Sequence, residues 1–175
     1  IIQFIKQTPI LQSNFDDVIV LHNNNLMSFV PQAFFNEDYL GSYLQYNVKV
    51  FETDFITFDV IENYEMNNVY IPYVNINNSL IDCYGSFNYK HAQSILVKKV
   101  LDLSKNNDEP QMFVHCQQDN FQLIAVKNQK LLLFNSFEFS YFFKDETRYK
   151  INLHLPLQLH PNLPRSINPN NPIKN

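Results

Sequence analysis

Residues 112–139 read MFVHCQQ-DN-FQLIAVK-NQ-KLLLFNSFEF, three runs rich in apolar residues parted by Asp119-Asn120 and Asn128-Gln129. Two-residue loops of Asn, Asp and Gln between β-prone runs are the signal of tight hairpins, so the stretch predicts an antiparallel three-stranded meander. Just upstream, His91–Leu103 places Ala92, Ile95, Leu96, Val100 and Leu103 at helical spacing, with Gln93, Lys98, Lys99 and Asp102 elsewhere. That pattern predicts an amphipathic helix with its apolar side buried. Further back, DFITFDVIEN and NNVYIPYV flank YEMNN as a second hairpin, and Pro72 predicts that its strand lies at an edge or ends in a bulge. A helix followed by a meander, with hairpins and short helices before it, gives an α+β chain whose halves are two related lobes. The boundary falls in SKNNDEP, which divides the chain into residues 1–107, 108–150 and a tail, 151–175.

The remaining elements are shorter. In NEDYLGSYLQYN, Asn36 stands as a helix N-cap with Glu37 and Asp38 in the first turn. NINNSLIDCYG reads as a helix closed by Gly85, and SFNYK returns as a strand. In LHNNNLMSFVP, Asn23, Asn24 and Asn25 separate two apolar runs, which fits a hairpin. The same tip is also a candidate partner-binding site, because the imidazole of His22 and three amides can read a hydrogen-bond pattern.

Composition removes several chemistries. With 175 residues, 45% of them hydrophobic, the chain has enough apolar surface for a real core. A net charge of −4 supplies no basic field for nucleic acid or an anionic membrane. Neither a membrane-spanning run nor a leader pattern is visible, and two cysteines, Cys83 and Cys116, outside any C-x-x-C suit buried thiols in a reducing compartment. These features predict a cytoplasmic protein, and the start at Ile1 predicts a piece of a longer gene product. Only 2 glycines occur, Gly41 and Gly85. Walker loops, dinucleotide fingerprints and nucleophile elbows all need more, since their backbones must take positive φ or approach a phosphate closely. The 24 asparagines tolerate the left-handed region best among the other residues, and are expected to do glycine's turn work.

The end of the chain differs in kind. Five of the 9 prolines lie between Pro156 and Pro172, and nothing aromatic follows Tyr149. Such a composition predicts an extended or disordered tail.

The blocks LHNNNLMSFVPQAFF, ETDFITFD, NVYIPYVNINN, YGSFNYKHA and LLLFNSFEF, spread from Phe15 to Phe139, resemble the domain-of-unknown-function family 3822, widespread in Bacteroidetes. The resemblance implies an actin-like ATPase fold, shared by actin, sugar and acetate kinases and chaperone ATPases and built from two ribonuclease H-like lobes. It implies no established activity. On that fold the meander opens the second lobe, which this chain leaves incomplete, and the first lobe lacks or shortens its opening strands.

Working members of that superfamily hold ATP phosphates and Mg²⁺ with D-x-G turns, and this sequence contains none. Asp119 and Asn120 in QQDNFQ stand where a second phosphate loop would sit, as the weak cofactor candidates. Asn120 would mimic glycine, while Asp119 reads better as a turn residue. A two-metal nuclease needs converging carboxylates, yet the first meander strand carries His115 and Gln117, and Asp54, Asp59 and Glu62 read as solvated. Adjacent His115 and Cys116 point to opposite faces of a strand and cannot share a metal. Cys83 with His91 lacks a third partner for nucleophilic catalysis. Tyr39, Tyr43, Tyr46, Tyr64, Phe29, Phe34 and Phe35 read as core rather than as an interaction surface. No catalytic or metal-binding residue is assigned. Two functions remain: a non-catalytic scaffold without cofactor, binding a protein partner or its own copy, and an ATPase or kinase relative that binds ATP and Mg through diverged loops.

Overall fold

A computed structural model of the chain describes residues 1–138. The expected tail, residues 151–175, and the segment 139–150 lie outside the described residues. The chain divides into two compact units, one over Ile1–Leu103 and one beginning at Ser104.

The first unit mixes helices with two small sheets. Helix α1 (Ile2–Gln7) and a 3-10 turn at Pro9–Gln12 lead to β1 (Ile19–His22) and β2 (Met27–Pro31). Two further 3-10 turns precede α2 (Leu40–Leu44), then β3 (Thr57–Ile61), β4 (Met66–Tyr70), α3 (Val74–Tyr84), β5 (Asn88–His91) and α4 (Ala92–Leu103) follow. Asn36 caps the turn before α2 as expected, its Oδ1 accepting from the Asp38 N–H at 2.9 Å. Gly85 closes α3 with φ of 72°, a conformation other residues rarely take.

The β3–β4 hairpin forms as predicted, with Thr57 opposite Tyr70 and Ile61 opposite Met66. Its second strand is central, not an edge: the order is β2-β4-β3, all antiparallel. Pro72 lies beyond the ladder, which ends at Tyr70, so its missing N–H costs no strand bond. One face of this sheet packs on Leu44 through Val30 and Val69, with Ile71 beside them and Phe35, Tyr43, Ile56 and Phe58 around the rim.

The three asparagines do not close a hairpin. β1 pairs in parallel with β5, with His22 opposite His91, while β2 pairs with β4. Asn24 steers the crossing from one sheet to the other. Its Oδ1 accepts from Leu26 N–H at 2.9 Å, its Nδ2 donates to the Ile71 carbonyl at 3.1 Å, and Ile71 N–H donates to the Leu26 carbonyl at 3.0 Å.

Helix α4 forms where expected, but turned about its axis. Its buried residues are Gln93, Ser94, Val97, Val100 and Leu101, whereas Ile95 and Leu103 are exposed. The helix faces a polar cluster at its start, so Gln93, which hydropathy placed off the apolar face, is buried together with Ser94.

The second unit holds the predicted meander, β6 (Gln111–Cys116), β7 (Asn120–Lys127) and β8 (Lys130–Glu138), in the order β6-β7-β8. Asn128 and Gln129 have φ of 43° and 61°, the two positive values that a primed hairpin turn requires. Asn63 and Asn106 are also left-handed, so asparagine does take up glycine's work. Both cysteines are exposed rather than buried.

Candidate functional site

The densest polar cluster in the first unit gathers where β3, β4 and β5 meet the first turn of α4. Alternation along β3 puts Asp59 on the same face as Thr57 and Ile61. Its carboxylate is satisfied there. Oδ1 accepts from the Tyr70 hydroxyl at 3.1 Å, and Oδ2 accepts from the His91 N–H at 2.7 Å and the Ser94 hydroxyl at 2.6 Å. Ser94 Oγ also accepts from Asn68 Nδ2 at 2.9 Å, on the central strand. A negative group at a helix N-terminus is favoured by the exposed N–H ends of that turn. The chain supplies its own anion to α4.

His91 caps α4, its Nδ1 accepting from the Gln93 N–H at 3.2 Å. That places its proton on Nε2, which lies 3.4 Å from Asn24 Oδ1. Burial, reinforced by neighbouring His22, lowers the His91 pKa to about 4, so the ring is neutral at pH 7. His22 is also buried, and its Nδ1 accepts from the Tyr73 N–H at 3.3 Å. Its ring stands edge-on to Tyr89, with centroids 5.5 Å apart, and lies near Tyr70 and Tyr73. Burial lowers its pKa, against smaller upward contributions from Asn77 and the charge of Asp59. His22 Nε2 and Asn77 Oδ1 are buried and make no hydrogen bond of normal geometry. Burial, with the charge of Asp59 next, raises the Tyr70 pKa far above its ordinary value.

This arrangement holds protons rather than moving them. Ser94 is bonded to a carboxylate and an amide, and both nitrogens of His91 are directed elsewhere, so no imidazole activates the hydroxyl. Among the described residues no group of three His, Cys, Asp or Glu is placed to hold a metal ion.

The sequence candidates fall as follows. His22 is interior, not at a loop tip. Asn24 is half-buried and spends its amide on the crossing, while Asn23 and Asn25 are exposed and Asn23 Oδ1 accepts from Gln93 Nε2 at 3.3 Å. Asp119 sits exposed between β6 and β7, its Oδ1 accepting from Asn120 Nδ2 at 2.8 Å. Asn120 opens β7 without a left-handed backbone, so it does not imitate a glycine turn. Its Oδ1 accepts at 2.7 Å from Gln122, a buried side chain whose Oε1 also lies 2.8 Å from His115 Nδ1. Asp59, read as solvated, is the residue that sequence reasoning missed. Tyr39, Tyr46 and Phe34, read as core, are exposed.

A family model described as "Protein of unknown function (DUF3822)" matches residues 1–163. A solved structure from Bacteroides thetaiotaomicron, described as a protein with actin-like ATPase fold and unknown function, superposes with a TM-score of 0.71 at 15% identity. The superposition covers 78% of this chain and 53% of that one, so the chain spans about half the length of this neighbour. At that identity the likeness shows the fold, which is actin-like. No match was found among curated proteins. Among the described residues no helix is long and apolar enough to cross a membrane.

Proposed function

Because the chain belongs to the DUF3822 family of proteins of unknown function, its fold comes with no activity attached, and we propose that it is a non-catalytic, cytoplasmic scaffold that binds another protein. The observation that carries this reading is Asp59 at the start of α4. A helix N-terminus is a ready anion site, and here the Asp59 carboxylate stands beside it, bonded to the His91 N–H just before α4 and to the Ser94 hydroxyl in its first turn, so a phosphate brought to this turn would meet like charge. The Asp119–Asn120 turn fits a nucleotide no better, since its side chains bond to each other and it has no glycine-like backbone.

The binding half of the proposal is supported by a run of outward-facing aromatics. Phe34, Tyr39, Tyr46, Phe51 and Phe55 all come from one segment of 22 residues and are each more than half exposed. Exposed aromatic surface is costly in water and is characteristic of contact regions. Net negative charge disfavours nucleic acid as the partner and leaves a protein, a second copy included.

A melting scan with and without millimolar Mg-ATP tests the first half. A ligand at a hundred times its dissociation constant adds about 2.7 kcal/mol to the native state, which at millimolar Mg-ATP is the shift given by a site with a dissociation constant of about 10 μM. No shift is expected. A clear shift would overturn the proposal in favour of an ATPase or kinase relative with diverged phosphate loops, and Asp119 and Asn120 would be the first positions to mutate. For the second half, Phe34→Ala with Tyr46→Ala is expected to abolish capture of a partner without lowering the melting temperature.

A further inference from the structure

A pocket of about 430 Å³ opens within the first unit, between the end of α1, the Pro9–Gln12 turn and the last turn of α3. That volume is in the range of small-molecule sites. Its wall is tied in place by Tyr84, at the end of α3, whose hydroxyl donates to the Leu11 carbonyl at 2.8 Å and whose ring stands edge-on to Phe15 with centroids 6.1 Å apart. Ile5, buried, and Leu11 and Val18, half-buried, give the lining its apolar part.

The polar part is not spent on the fold. Lys6, Ser13 and Asn14 also line the pocket, and among the described residues no hydrogen bond or ion pair engages their side chains. Carbonyls of α1 are already taken: Thr8 Oγ1 donates to the Phe4 carbonyl at 2.8 Å and Gln12 Nε2 to the Lys6 carbonyl at 2.7 Å. The negative end of that helix is thereby muted, which leaves an uncompensated cation beside apolar walls. Among the described residues Lys6 is the one charged side chain on the lining, while Asp16, Asp17 and Asp82 stand exposed next to lining residues in the sequence. A single cation with acids close by suits a monoanion and disfavours a phosphate dianion.

We propose that this pocket binds a small monocarboxylic acid with an apolar body, its carboxylate at Lys6, Ser13 and Asn14 and its hydrocarbon part on Ile5 and Leu11. A charge-assisted bond gives the acid end its direction, and burial of hydrocarbon supplies most of the affinity. The inference stands apart from the scaffold reading, because none of the exposed aromatics between Phe34 and Phe55 lines this pocket.

Cys83 lines the same pocket as an exposed free thiol, so its reactivity reports occupancy. The full chain carrying Cys116→Ser is labelled with N-ethylmaleimide in rising octanoate or 4-phenylbutyrate, and in the matching alcohols, octanol and 4-phenylbutanol. At least one acid is expected to slow labelling of Cys83 about fivefold, saturating at or below about 10 mM. Its alcohol is expected to protect at least about tenfold more weakly. Lys6→Gln should raise the half-protecting concentration of the acid about tenfold without lowering the melting temperature. In the companion chain carrying Cys83→Ser, Cys116 should label at one rate with or without acid. Failure of both acids to protect, equal protection by acid and alcohol, or protection that Lys6→Gln leaves intact would each overturn the assignment. Equal slowing at Cys116 would overturn it too, by showing an effect of the acid that does not depend on the pocket.

Discussion

His22 and His91 are partners across the parallel β1–β5 ladder, and both imidazoles are buried and held neutral. Each is a base whose folded-state pKa lies below its ordinary 6.5, so between those values the unfolded chain binds protons that the native chain does not. Stability therefore rises with pH through this window and is lost as pH falls from 6.5 toward about 4, where His91 itself titrates.

The expected loss from His91 over that window is about 3 kcal/mol, read as a fall in the urea midpoint between pH 7 and pH 4.5. His91→Asn keeps an N-cap acceptor for Gln93 and removes the titration, so its midpoint should vary less with pH. An unchanged slope in this variant would place the acid sensitivity elsewhere.

Asp59 ties β3 to β4, β5 and α4 through three hydrogen bonds. Removing it leaves the His91 N–H and the Tyr70 and Ser94 hydroxyls to find other acceptors in a partly buried site. Asp59→Ala should cost about 3 kcal/mol, measured by chemical denaturation. Ser94→Ala removes one of these bonds and should cost about 1 kcal/mol. A near-neutral Asp59→Ala would mean that the network is satisfied by water and does not hold the unit together.

Much of the architecture is legible in the sequence because local patterns carry it: the meander from its two short loops, the β3–β4 hairpin, and α3 from its closing Gly85. Three things are not. The β1–β5 pairing joins residues far apart in sequence, and nothing near His22 announces His91, so the asparagines between β1 and β2 look like a hairpin. The buried face of α4 is misread because Gln93 is polar and a hydropathy pattern sends it to solvent, while Ser94 beside it carries no apolar signal. Asp59 is overlooked for the same reason, although its place between Phe58 and Val60, with Tyr70 and Ser94 to receive it, is what builds the candidate site.

Gly85 is the one glycine whose backbone requires it. With φ of 72° and ψ of −134° it lies where an L residue is strained, and a Cβ placed there would meet nothing within 4 Å. Gly85→Ala should therefore cost about 1–2 kcal/mol through backbone strain alone. A neutral result in thermal melts would show that the α3–β5 connection relaxes to a different turn.

The Asn128-Gln129 turn gives the converse case. Both residues are left-handed, but asparagine tolerates that region and glutamine much less, and the Asn128 side chain also donates to Asp108 at 3.0 Å. Gln129 contributes its backbone N–H to Ser104 Oγ at 2.9 Å, a bond that survives substitution of the side chain. Gln129→Gly completes the Asn-Gly pair favoured in this turn and should stabilise the second unit by about 0.5–1 kcal/mol. Asn128→Gly should gain less, because relief of a smaller strain is offset by loss of the Asp108 contact. The two variants are compared by exchange of the β7 and β8 amides. If Gln129→Gly loosened that ladder, the glutamine side chain rather than its backbone geometry would be what the turn depends on.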